Sequence, residues 1–170
     1  NIENDFIHKR RYSFNKYWSP LIEFSNFVKK KTKNNLIFLA HPDSEKKNFP
    51  KGINVVFNET NNYIKQSKMI FGHDSTALQM GVIHKKPIAH ITSNYLKNDL
   101  LRNKYINDFA NELGNKIINI DDDEELNHLK LDQLKIDKNK YNRYMRNFII
   151  ADKFQKNFWE NFNLKILNTK

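Results

Sequence analysis

Five short apolar runs, residues 36–40, 53–57, 69–71, 88–92 and 116–120, recur along the chain with helix-like segments between them. Leu36-Ile37-Phe38-Leu39-Ala40 is apolar without a break, and Ile88-Ala89-His90-Ile91-Thr92 nearly so. A strand with one wet face alternates apolar and polar residues. Continuous runs suit strands buried on both faces, as in parallel sheets. Parallel neighbours need crossover connections, usually helices. The pattern therefore predicts one α/β domain over residues 1–170, a Rossmann-like parallel sheet with helices on both faces.

The intervening segments fit that plan. Ser19-Pro20 reads as a helix start, with Leu21, Phe24, Phe27 and Val28 on one face and Lys29 to Lys33 near the end. Further helices are expected over Thr60–Lys68, Ser75–His84 and Asn98–Leu113, the last ended by Gly114. Asp121 to Leu134 opens on five acids, which favour a first helical turn. Two aromatic helices close the chain. Tyr141, Tyr144, Met145 and Phe148 line one; Phe154, Phe158, Trp159 and Phe162 line the other. Their spacing predicts that Tyr144, Phe148, Phe158 and Phe162 pack inward.

The chain has 170 residues and no cysteine, which excludes disulfides and thiolate metal sites. No apolar run approaches the ~20 residues of a membrane span. The formal net charge of +10 suggests an anionic partner, although the excess of Lys over Arg equally fits a biased composition. The chain begins at Asn1, so a fragment of a longer enzyme is one expectation.

In open parallel sheets, ligands sit outside the carboxyl ends of the strands. Two polar groups fall there: His41-Pro42 after the first run, and His73-Asp74-Ser75-Thr76 after the third. A helix starting at Ser75 or Thr76 would offer unpaired backbone N–H groups and the positive end of its dipole to a phosphate or diphosphate. An imidazole from His41 or His73 would add a donor. Each piece has an ordinary reading, Ser75, Thr76 or Asp74 as a helix cap and His41 as a loop residue. Together with Lys86-Pro87 before the next run, they favour a phosphate site. His41 and the Ser75/Thr76 helix start are expected to face each other across one cleft.

Over residues 36–120 these motifs resemble the donor-binding half of GT-B glycosyltransferases that build bacterial surface polysaccharides. The likeness is to sialyl-, polysialyl- and Kdo-type transferases and to the glycerophosphotransferases of teichoic acid synthesis. It implies that His41, within His-Pro, contacts the nucleotide phosphate of a CMP- or CDP-activated donor and acts catalytically. It implies that Ser75 and Thr76 hold phosphate. Many such domains carry Glu where this chain has Met80, a departure that favours a CMP donor over a UDP-hexose. The resemblance also implies no metal and no cofactor beyond the donor. Its further implications are a polysaccharide or lipid-linked acceptor, an N-terminal acceptor domain outside this chain, and capsule-type synthesis in the cytoplasm, with peripheral contact at an anionic inner membrane face.

Other readings are weaker. Asp121-Asp122-Asp123 contains Asp-x-Asp, but its place before a helix makes it a cap rather than a metal site. His84, His90 and His128 lack metal-ligand spacing and read as surface or packing residues. There is no G-x-G-x-x-G and no P-loop. A nucleotide-sugar epimerase of related fold would use the same phosphate site. A basic nucleic-acid-binding module would expose its aromatics, whereas here they fall at core spacing, so nucleic acid is not the expected partner.

Overall fold

The computed structural model describes residues 13–150. Phe154, Phe158, Trp159 and Phe162, and the inward packing expected of Phe158 and Phe162, lie outside these residues. The described chain is a mixed α/β structure with two small parallel sheets. Strand β1 (Phe38–Leu39) pairs with β2 (Val55–Val56), and β3 (Ile70–Gly72), β4 (Ile88–Thr92) and β5 (Ile117–Asn119) form a second sheet in that order. All five expected strands are present. β4 has the expected bounds and is buried along its length; β3 is shifted by one residue from its run, and β1, β2 and β5 are shorter than theirs.

The helices are α1 (Phe14–Thr32), α2 (Thr60–Gln66), α3 (Ala77–Ile83), α4 (Asn94–Lys97), α5 (Leu100–Leu113), α6 (Asp123–His128) and α7 (Lys138–Tyr144). Two apolar layers sandwich the larger sheet. Ala89 and Ile91 of β4 pack with Leu21, Phe24 and Val28 of α1 and Leu126 of α6. Ile88 turns the other way, toward Leu78 and Val82 of α3, Leu113 of α5 and Tyr141 and Tyr144 of α7. This is the period-two alternation of a strand, apolar on both faces. Helix α1 also spans the gap between the sheets. Its Trp18 meets Phe38 of β1 edge-on at 5.6 Å, and its Phe24 meets Phe71 of β3 at 5.1 Å.

Several boundaries differ from expectation. Helix α1 begins at Phe14 and carries Pro20 inside it, so Ser19 is not a cap. Burial of Tyr17 and Trp18 against Phe38, Phe49 and His73 holds the extra turn despite the lost N–H. The helix expected over Asn98–Leu113 is present as α5, and an unexpected short helix, α4, precedes it; each has its own cap: Ser93 accepts from the Leu96 N–H, and Asp99 from the Arg102 N–H. Gly114 ends α5 as expected, with φ 68°. Beyond α7 the chain widens into a π-helical turn, Met145–Ile149. That turn rotates Phe148 off the apolar stripe, so it is 59% exposed rather than inward, its ring lying 4.7 Å from that of Tyr144. Tyr144 itself is buried, as expected.

Candidate functional site

The loop after β3 is the most constrained part of the carboxyl edge. At Gly72 a Cβ would lie 2.7 Å from a Leu78 methyl, so the glycine lets α3 close onto the strand end. His73 follows. Its Nδ1 lies 2.7 Å from the carbonyl of Ile91 in β4, and since a carbonyl only accepts, Nδ1 carries the proton and donates. The ring also rests near Tyr17, with centroids 5.9 Å apart. Burial lowers the pKa of His73; the Ile91 carbonyl opposes this, the Arg102 charge adds to it and Asp74 opposes it. The neutral ring thus presents Nε2 as an acceptor. Its one N–H in that state is given to Ile91.

Asp74 accepts from Nε of Arg102 on α5 at 3.1 Å, and both side chains are about three-quarters covered. The helix expected from Ser75 starts at Ala77, and its first turn is already satisfied. The Ser75 hydroxyl accepts from the Ala77 N–H at 3.2 Å. The Ser75 carbonyl takes the Leu78 N–H at 3.0 Å, and the Thr76 carbonyl the Gln79 N–H at 3.0 Å. Ser75 therefore serves the chain locally, and the Ala77, Leu78 and Gln79 N–H groups are bonded within the turn.

His41 differs. It follows β1 with its side chain 71% exposed. The Asp43 N–H donates to its Nδ1 at 3.2 Å, so Nε2 bears the proton and is a donor. Asp43 places a carboxylate oxygen 3.5 Å from the same Nδ1. Pro42 beside it is exposed. No hydrogen bond joins His41 to Ser75 or Thr76.

A cleft of about 520 Å³ opens instead beyond β4 and β5, between Lys16, Ser19 and Pro20 of α1 and Asn94, Tyr95 and Asp121. Pro20 has no N–H, which leaves the Lys16 carbonyl without its usual helical donor at the cleft wall. Polar bonds tie Asn94 and Asp121 to their neighbours. The Asn94 N–H donates to Asp121 Oδ2 at 2.6 Å, Asn119 Nδ2 to Asn94 Oδ1 at 3.1 Å, and the Asn119 N–H to Glu125 Oε2 at 3.0 Å. Asp122 caps α6 by accepting from the Glu125 N–H at 2.9 Å, as the sequence suggested. None of His41, Pro42, His73, Asp74, Ser75 and Thr76 lines this cleft. The sequence marked the acids after β5 as a cap. It offered no local signal that Asp121 would reach back to Asn94.

Beneath the edge, His90 of β4 is fully buried, its ring edge-on to Phe109 at 5.1 Å, and neither ring nitrogen has a hydrogen-bond partner. Burial, and then the nearby His73, push its pKa down to about 4. It is a packing residue, as expected. His84 bonds Asn61 at 2.8 Å on the surface. No known protein family, no curated protein and no solved structure matches this chain.

Proposed function

We propose that this chain is the donor-binding domain of a GT-B-type glycosyltransferase, Rossmann-like in plan, which takes a CMP- or CDP-activated sugar or polyol phosphate for surface polysaccharide synthesis. The observation that carries the reading is the pair of histidines at the carboxyl ends of parallel strands, held in opposite tautomers. His41 offers an exposed Nε2–H that can bond a phosphate oxygen. Its role is to stabilise charge that grows on the departing nucleotide. His73 offers an acceptor, suited to a hydroxyl rather than to a phosphate. Ser75 and Thr76 contribute by shaping the turn. The acceptor, a polysaccharide or lipid-linked glycan, would be presented by an N-terminal domain of the same enzyme.

Calorimetric titration of the chain with CMP, CDP, UMP and UDP tests this. Cytidine nucleotides bind, with an affinity that falls with added salt. His41→Ala weakens binding by about 1.5–3 kcal/mol, the range for a hydrogen bond to a charged group. Ser75→Ala and Thr76→Ala cost less. No transfer is expected from this domain alone. Absence of cytidine nucleotide binding, or equal binding by His41→Ala, removes the reading's main support.

A further inference from the structure

The two edges of the sheets carry opposite charge. The connections that lead into the strands, taken with the last helical turns before them, residues 29–37, 50–54, 63–69, 80–87 and 110–116, hold ten lysines and one acid, Glu112, which is paired with Arg143. The connections that leave the strands, residues 40–49, 57–60, 73–76, 93–99 and 120–125, hold ten acids and three lysines. All strands are parallel within their sheets, so the first set gathers on one side of each sheet.

The backbone makes that side continuous. The Phe38 N–H bonds the Asn54 carbonyl at 2.8 Å, setting residues 33–37 beside 51–54. Leu36 and Met69 pack against one apolar cluster, which joins the two sheets at this edge. The Ile70 N–H bonds the Pro87 carbonyl at 2.9 Å, setting residues 65–69 beside 83–87. Lys116 is paired with Glu125 at 3.1 Å. Among the described residues, no acid pairs with the other nine lysines.

We infer that this amino edge docks on the surface of an anionic lipid bilayer. A broad array of lysines whose one neighbouring acid, Glu112, is already paired with Arg143 attracts a negatively charged surface without demanding a fixed ligand geometry. Ile37 and Ile83, exposed at 41% and 48%, stand among these lysines and supply short apolar contacts at the headgroup level. A nucleic acid site would want exposed rings to stack on bases. Phe27 at this edge is instead covered by its own Lys31, whose Nζ lies 5.6 Å from the ring centre. The ten acids of the opposite edge orient the molecule, since they are repelled by the same surface. The carboxyl edge, with His41 and the cleft at Asp121, then faces the water. The docking does not depend on the donor-binding reading.

The test is co-sedimentation of the full chain with vesicles of phosphatidylcholine, alone and with about one-third phosphatidylglycerol. Binding to the anionic vesicles only, lost as salt is raised, is expected. Replacing Lys30, Lys33, Lys68 and Lys85 together by Glu weakens it at least about tenfold, while Lys46→Glu with Lys47→Glu changes it less than about twofold. Hydrogen exchange on the wild-type chain, which does not rely on the variants folding, shows vesicle protection at residues 29–37, 65–69 and 83–87. Equal binding to neutral vesicles, protection confined to residues 1–12 or 151–170, or equal effects of the two charge-reversal sets would overturn the inference. So would tighter binding to a single-stranded oligonucleotide than to anionic vesicles at the same salt.

Discussion

Strands β1 and β3 each end on a histidine with an acid close behind it, and the two histidines are held in opposite ways. His41 is exposed and touched only by its own loop: Asp43 gives its N–H to Nδ1, and the outward nitrogen is a donor. His73 gives its own Nδ1–H to a neighbouring strand, rests near Tyr17, and is followed by an acid held by Arg102. The difference teaches that a residue's chemistry at a strand end is set by what reaches it from elsewhere in the fold. The β3 loop is part of the core's architecture; the β1 loop stays exposed to solvent.

Acid separates the two regions most strongly. His90, under the β3 side, has its pKa pushed from 6.5 to about 4, and that of His73 is lowered as well. A histidine depressed in the folded state is protonated more readily in the unfolded chain. Its contribution to stability is complete above about pH 6.5 and is lost as pH falls toward the folded value. For His90 the loss between about pH 6.5 and 4 is about 3 kcal/mol. Urea unfolding followed across this range shows it. His90→Leu flattens that limb and leaves stability at neutral pH unchanged or raised, because neither ring nitrogen has a partner to lose. His41→Ala leaves the limb as it is. A wild-type chain equally stable at pH 7 and pH 4.5 would break the comparison at its root.

A smaller effect is expected from His73→Ala at neutral pH. It removes the 2.7 Å bond, leaves the Ile91 carbonyl unpaired and takes a ring away from Tyr17. The expected cost is about 2–3 kcal/mol, read as a drop in the urea midpoint. A cost below about 0.5 kcal/mol would place the β3 loop with ordinary surface loops.

The smallest effect sharpens the contrast from the other side. His41→Ala changes stability by less than about 0.5 kcal/mol, since the ring is exposed and bonded only within its own loop. The same variant is expected to lose most of the cytidine nucleotide affinity. A stable, non-binding His41→Ala and an unstable His73→Ala would separate ligand contact from architecture.

The strand pattern was legible because it is local. The run Ile88–Thr92 is a strand from end to end, and Gly114 ends α5 in a left-handed conformation that suits glycine. The edge on which each polar loop emerges follows from parallel pairing, and so does the segregation of lysines to one edge and acids to the other. Helix starts were less legible. Ser19-Pro20 is a strong local start signal, and it was overruled by rings of α1 that bury against residues 38, 49 and 73. Phe148 kept its spacing and lost its place to a single widened turn.

The order of strands and helices, the parallel α/β character and the polarity of charge are written along the chain, because apolar period and strand direction are properties of short segments. Which nitrogen of His73 carries the proton, that the Ser75 hydroxyl is used by its own turn, and where the cleft opens depend on the assembled fold. The cleft joins Lys16, Asn94 and Asp121, and the proton on His73 is fixed by a carbonyl eighteen residues away on another strand. Such partners leave no mark on the residues beside them in the chain. They meet only when the apolar faces of β4 and α1 have been buried against each other.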